Sequence, residues 1–353
     1  MRDQTTTLSG VKDVAQTQTL TGQRFRVRDR YEVGREKIRE FARAVQNGHG
    51  AHHREADAAA LGYDRVLAPP TFASVIGLAA TRALLDSVLT EYDISQILQT
   101  DQVFEIHRPL LAGDSMSSEM LIESIRNFGD NDFVNVRFAL RNDRDEVAIS
   151  GTSTIVARRG AEVDADLVEA VENIVMHSRP VEQVGTLDES DLLIPLGVGP
   201  APANPPRRER APRTVPDFAA LTKGDELPTR TARLTRGDLA NYAGVAGDPN
   251  PIHFSEHAAK LAGLPTVVAH GLLTMGLAAG YLTDWLGDPT AIEKFSVRFS
   301  GFVPVHTTTA STVEFGGRIK SLDPERRSAT VLLSGTSEGR KLFGRAVAEV
   351  RLG

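Results

Sequence analysis

At 353 residues the chain is long enough for about two domains of roughly 100–200 residues each, and 41% hydrophobic against 24% charged residues excludes a disordered, collagen-like or coiled-coil protein. A formal charge of -6 argues against a general phosphate-neutralising surface, so no nucleic-acid partner is expected. The lack of cysteine removes disulfides, thiol nucleophiles, iron–sulfur clusters and Cys-based zinc sites, and with a polar N-terminus free of any apolar core it points to a cytoplasmic protein.

Residues 1–20 read as a polar extension. A first unit, 21–165, opens with an alternating strand over 24–30 and an amphipathic helix from near Gly34. A Gly/Asn/His loop, a short Ala-rich helix and a long apolar helix (71–89) follow. Strands over 102–107, 115–125, 133–140 and 147–156 close the unit. Residues 166–220 read as a linker. Within them, 200–216 carries six prolines and four arginines (Arg207, Arg208, Arg210, Arg213). Proline fixes φ and withholds a donor, so this piece is expected to be extended and semi-rigid. Its arginines either solvate it or form a docking strip for an acidic partner.

The second unit, 221–353, repeats that order. A strand over 226–234 leads into a helix whose start, Thr235 with Asp238, has the form of a capping box. The apolar helix here spans 272–286, and strands are expected at 292–299, 309–315, 328–333 and 340–350. The wider apolar stretch 264–286 is interrupted by Pro265, His270, Thr274, Thr283 and Asp284. A spanning helix needs about 20 mostly apolar residues, so this one reads as a buried core helix and no membrane span is expected.

At an offset of 201 residues, 35–72 fall on 236–273 without a gap. Ala42, His52, Glu55, Ala58, Gly62, Val66 and Ala68 then meet identical residues at 243, 253, 256, 259, 263, 267 and 269. A helix that is apolar nearly all round must be covered on most sides, and an antiparallel sheet wrapped around it does so. The expected architecture is α+β: two such units in tandem, forming an internal pseudo-dimer.

The loop Tyr242-Ala-Gly-Val-Ala-Gly-Asp248-Pro-Asn250-Pro-Ile-His253 carries the candidate chemistry. Its prolines pre-set φ and hold a carboxyl and an imidazole near one another, an acid and a base usable near pH 7. Downstream, Ala269-His270-Gly271 opens the apolar helix, where the glycine N–H lies at the positive end of the helix dipole and suits a developing oxyanion. Acid, base and oxyanion donor together suit proton removal alpha to a thioester carbonyl and loss of a β-hydroxyl, with no metal or organic cofactor required. Residue types alone leave other readings open. Asp-Pro-Asn-Pro is also a sound surface turn, His270 a satisfied core histidine, and Gly271 a site of close packing.

The motif Y-A-G-x-x-G-D-P-N-P-I-H with A-H-G downstream resembles that of the MaoC-like (R)-specific enoyl-thioester hydratases and (3R)-hydroxyacyl dehydratases. The second unit, with Lys223-Gly-Asp-Glu-Leu-Pro, Leu272-Leu-Thr-Met-Gly, Gly287-Asp-Pro and Phe343-Gly-Arg, resembles the catalytic HadB subunit of fatty-acid elongation. The first, with Tyr31-Glu-Val-Gly-Arg-Glu-Lys-Ile-Arg-Glu-Phe-Ala, Leu61-Gly-Tyr and Ala68-Pro-Pro-Thr-Phe, resembles its partner HadA. The resemblance implies a double hot-dog fold, with Asp248 and His253 as the catalytic pair. It also implies that Asn250 orients a water and that Gly271 supplies the oxyanion-hole N–H. His253 is favoured as the α-proton base and Asp248 as the group at the hydroxyl.

At the positions of Asp248, Asn250, His253 and Gly271 the first unit has Asn47, His49, His52 and Pro70. Asn47 cannot ionise and Pro70 has no N–H, so this unit is expected to be non-catalytic. The resemblance implies that it holds the acyl chain, with the apolar helix from Thr71 as the wall; the alternative is that it only completes the sheet and stabilises its twin. His49, His52 and His53 do not have a standard ligand spacing, and no metal is expected there. The resemblance implies a (3R)-3-hydroxyacyl-thioester dehydratase acting on acyl carrier protein in fatty-acid or mycolic-type elongation. The alternatives are an (R)-specific enoyl-coenzyme A hydratase and a non-catalytic acyl-binding protein. A homodimer of the fused chain is plausible in this family.

Overall fold

The computed structural model of the chain describes residues 19–90, 92, 97–158, 174, 192–203, 205 and 211–353. Its first half opens with strands β1 (Gln23–Val27) and β2 (Tyr31–Glu32), then helices α1 (Arg35–Ala44), α2 (Glu55–Ala60) and α3 (Ala73–Ser87). Strands β3 (Ile97–Ile106), β4 (Ser115–Phe128), β5 (Asn131–Arg141), β6 (Val147–Arg158) and β7 (Leu193–Val198) follow. The second half runs β8 (Glu226–Leu234), α4 (Arg236–Ala246), α5 (Glu256–Leu261) and α6 (Gly271–Leu286). It closes with β9 (Ile292–Phe299), β10 (Ser311–Asp323), β11 (Ser328–Ser337), β12 (Arg340–Lys341) and β13 (Phe343–Arg351). Among the described residues no helix is long and apolar enough to cross a membrane.

All the ladders are antiparallel and join in one sheet of order β7-β1-β4-β5-β6-β3-β9-β13-β11-β10-β8. The halves meet at β3 and β9, with Gln102 opposite Val297 and Phe104 opposite Phe295. Two ion pairs bridge that seam, Lys294 with Glu105 at 2.7 Å and Arg298 with Asp101 at 2.8 Å. Helices α3 and α6 pack against the inner face of the sheet. Helix α6 is buried on nearly every side, whereas several residues in the middle of α3 are only half-buried.

Alternation located the strand cores, and the ladders carry most of them further. β4 and β10 form long hairpin arms with β5 and β11, each with one bulge. The strand expected over 340–350 divides into β12 and β13, because Leu342 turns inward and is buried. Strand β7 falls inside the span expected to act only as a linker. Pro195 and Gly197 interrupt its pattern, yet β7 is an edge strand that pairs with β1 alone, which is where proline is tolerated. The expected roles of Arg207, Arg208 and Arg210 lie outside the described residues. Arg213 ties the chain to both halves instead of only solvating it: its N–H donates to Asp288 (2.8 Å) and its guanidinium to the Ala60 carbonyl.

Candidate active site

Helix α4 begins with the expected capping box, in which Thr235 and Asp238 satisfy each other's backbone N–H groups. It ends at Gly247, whose φ of 74° is a left-handed cap that an L side chain would strain. The chain then turns tightly. The Asp248 N–H donates to Ala243 O (3.2 Å), and Asp248 Oδ1 accepts from the Asn250 N–H (3.3 Å). Asn250 caps the single 3-10 turn Pro251–His253, its Oδ1 accepting from the Ile252 N–H at 3.2 Å. Its carbonyl end is held by the turn, which leaves the two N–H groups of Nδ2 as the donors that can face a ligand.

The His253 ring is buried, and its Nδ1 lies 2.8 Å from the Val268 carbonyl. A carbonyl can only accept, so Nδ1 carries the proton and the neutral ring keeps a lone pair on Nε2. Burial pulls the His253 pKa below its ordinary value, against the nearby Asp248 carboxylate and the Val268 bond, which raise it. At neutral pH the ring is a base.

Gly271 is the first residue of α6, so its N–H has no partner within the helix. A Cβ at Gly271 would stand 3.3 Å from the Phe299 ring, tighter than ordinary contact. His270, the N-cap, is fully buried and stacks on His253 with centroids 3.8 Å apart and an interplanar angle of 29°. Residue types left open a satisfied core histidine at this position; the ring is in the core, but among the described residues neither ring nitrogen has a partner. Burial, then His253, hold its pKa well below the ordinary value.

Asp248, His253 and His270 each place one potential ligand atom within 4.8 Å of the others. Stacked imidazoles send their in-plane lone pairs along near-parallel directions and do not converge on one ion at the roughly 2.0–2.1 Å that zinc requires.

The first half reproduces this loop bond for bond. The Asn47 N–H donates to Ala42 O, Asn47 Oδ1 accepts from the His49 N–H, and His49 Nδ1 accepts from the Ala51 N–H. His52 Nδ1 lies 2.8 Å from the Leu67 carbonyl, just as His253 does from Val268. The rings of His49 and His53 also meet backbone carbonyls, of Gly287 and Asn47. What the first loop lacks is the carboxylate and, at Pro70, the N–H. It also lacks space, since a Cβ on Gly276 of α6 would fall 2.5 Å from Val45, and one on Gly280 would lie 3.5 Å from Asn47.

The intact loop faces a cavity of about 660 Å³. Asp248, Asn250, His253 and Gly271 all line it, so the four candidate residues share one space. Most of the other wall belongs to the first half, namely α3 from Ala73 to Asp86 and the inward side chains Phe104, Met120, Val136, Phe138 and Ile155, while Val245, Leu272 and Phe299 add apolar surface from the second. Sequence reasoning pointed to the apolar helix from Thr71 as a wall but did not identify the strand residues. Their only signal was the inward phase of the predicted strands, which any core residue shares.

Two apolar helices against one continuous antiparallel sheet define the double hot-dog class. The chain belongs to the MaoC-like dehydratases and is a hydro-lyase. A solved structure described as a MaoC-like dehydratase is 40% identical to it, with a TM-score of 0.85 over 95% of this chain and 99% of that one. The MaoC like domain family matches residues 217–336, and the FAS1-like dehydratase domain region matches 19–150. A UPF0336 protein of Saccharopolyspora erythraea is 37% identical over 145 residues, which is 41% of this chain and 93% of that protein. A Mycobacterium tuberculosis protein of double hotdog fold, 14% identical, covers 94% of this chain and 96% of its own with a TM-score of 0.62, a likeness of fold alone.

Proposed function

We propose that the chain is a (3R)-3-hydroxyacyl-thioester dehydratase whose chemistry is done by the second half and whose acyl chain lies in the first. The observation that carries this reading is the shared cavity, in which an acid, a base and a free helix N–H meet an apolar interior belonging to the other half. In dehydration, His253 Nε2 removes the α-proton. The charge that develops on the thioester oxygen is held by the Gly271 N–H at the positive end of α6. The His253 imidazolium returns that proton to the β-hydroxyl, which leaves as water while the Asp248 carboxylate and Asn250 Nδ2 orient it, so the neutral ring is restored.

Resemblance to the HadA and HadB subunits favours acyl carrier protein as the carrier and fatty-acid elongation as the setting. The test is the loss of enoyl-thioester absorbance during hydration of trans-2-enoyl substrates on acyl carrier protein and on coenzyme A, wild type beside His253→Ala. Fast hydration by wild type alone, strongest with long acyl carrier protein substrates, is the expected result. Preference for coenzyme A would replace elongation with the hydratase reading. Inactivity on every substrate would leave acyl binding as the function.

A further inference from the structure

The acyl cavity is not uniformly apolar. On β3 the inward row is Gln102, Phe104, Ile106, and on β6 it includes Ser153 and Ile155. Gln102 and Ser153 are direct cross-strand partners, and with Gln99 they line the cavity. Gln102 is only 3% exposed. Its Oε1 accepts from Gln99 Nε2 (2.6 Å) and Ser153 Oγ (2.5 Å), and its Nε2 donates to the Val103 carbonyl (3.1 Å).

Among the described residues, these bonds fix the orientation of the Gln102 amide and leave one N–H of a deeply buried side chain without a partner, and Gln99 Oε1, beside it, accepts no bond. A plain alkyl chain would bury both groups against methylene and gain nothing for their desolvation. An unused donor next to an unused acceptor matches one chemical group on a fatty chain: a hydroxyl, which accepts from the first and donates to the second.

We infer that Gln99, Gln102 and Ser153 form a subsite for a hydroxyl carried on the acyl chain beyond the reacting carbons, so that the substrate is a hydroxylated acyl thioester. This rests on the reading of the cavity as the acyl-chain site. Nothing in the acid–base loop requires it, because the cluster lies wholly on the first half.

The test uses saturated hydroxydodecanoyl-coenzyme A isomers, with the hydroxyl moved along the chain, against dodecanoyl-coenzyme A. Equilibrium binding is measured for wild type, Gln102→Leu and Ser153→Ala, alongside hydration of the matching trans-2-enoyl thioesters. One isomer is expected to bind wild type about 5- to 10-fold more tightly than the plain chain, the effect of one hydrogen bond in apolar surroundings. Gln102→Leu should erase that gain and bind the plain chain at least as well. Absence of gain at every position, or a gain that survives in Gln102→Leu, would overturn the subsite. The binding arm needs no turnover, so failure of the dehydratase reading would appear separately, as enoyl thioesters that wild type does not hydrate.

Discussion

Asp248 differs from its counterpart Asn47 in chemistry but hardly in geometry, while His253 and His52 match in both. Asp248→Asn should therefore keep the loop's hydrogen bonds while turnover falls about 10²–10⁴-fold, and His253→Ala should lose a similar factor, the usual worth of an acid–base group. Thermal melts beside initial rates separate activity from folding, and near-normal turnover in either variant would refute the assignment. Gly271→Pro is a sharper probe of the oxyanion donor. The first position of a helix accepts proline, and Pro70 occupies the matching place in the first half. With the Phe299 ring giving by a few tenths of an ångström, the variant should fold yet lose about 10²–10³ in kcat, as removal of one such donor does, and thermal melts check the fold. Because burial lowers the His253 pKa, kcat/KM should hold through pH 6.5 and fall only in more acid solution. An acid limb centred above pH 6.5 would contradict a buried neutral base. The loop pair was legible in the sequence because its bonds are local, spanning two to fifteen residues. The stacking of His270 on His253 and the strand residues of the cavity wall were not, since they arise from segments far apart in the chain.

At the scale of elements, duplication made the helices and most strand cores readable, and the offset of 201 residues also carries the histidine–carbonyl bonds across. Strand β7 was illegible because Pro195 and Gly197 hide an edge strand inside an apparent linker. The contrast between α3 and α6 was hidden as well, both being apolar runs in sequence. Packing separates them: Gly276 and Gly280 let α6 close on Val45 and Asn47, while α3 leaves open space along its length. Gly276→Leu should clash with Val45 and cost about 1–3 kcal/mol or more, read from denaturant midpoints. Buried histidines give these loops a pH signature too. Burial lowers the His52 pKa to about 3, against about 6.5 in an unfolded chain, so between those values the unfolded state binds more protons. Stability is thus fully present above pH 6.5 and is lost as the pH falls toward 3, with His253 acting in the same direction. Melting temperatures across that window should drop steadily. A flat profile would mean that His52 is not held neutral.

Across the whole molecule, the β3–β9 junction makes two units into one body and sets the loop of one half at the mouth of the other's interior. Neither half contains both the acid–base pair and the apolar space. The sequence shows that the first half lacks the carboxylate and the N–H, at Asn47 and Pro70, and the resemblance led to the expectation that this half holds the acyl chain; which strand side chains face the cavity depended on how the sheets join. The most direct measurement of this account is the chain-length profile of Ala80→Phe, which fills the cavity in the middle of α3, far in sequence from Asp248 and His253. Hydration rates for short trans-2-enoyl thioesters should stay close to wild type, while those for long chains should fall at least tenfold. Long chains hydrated as fast as short ones by a folded Ala80→Phe protein would contradict the placement of the acyl chain in the first half.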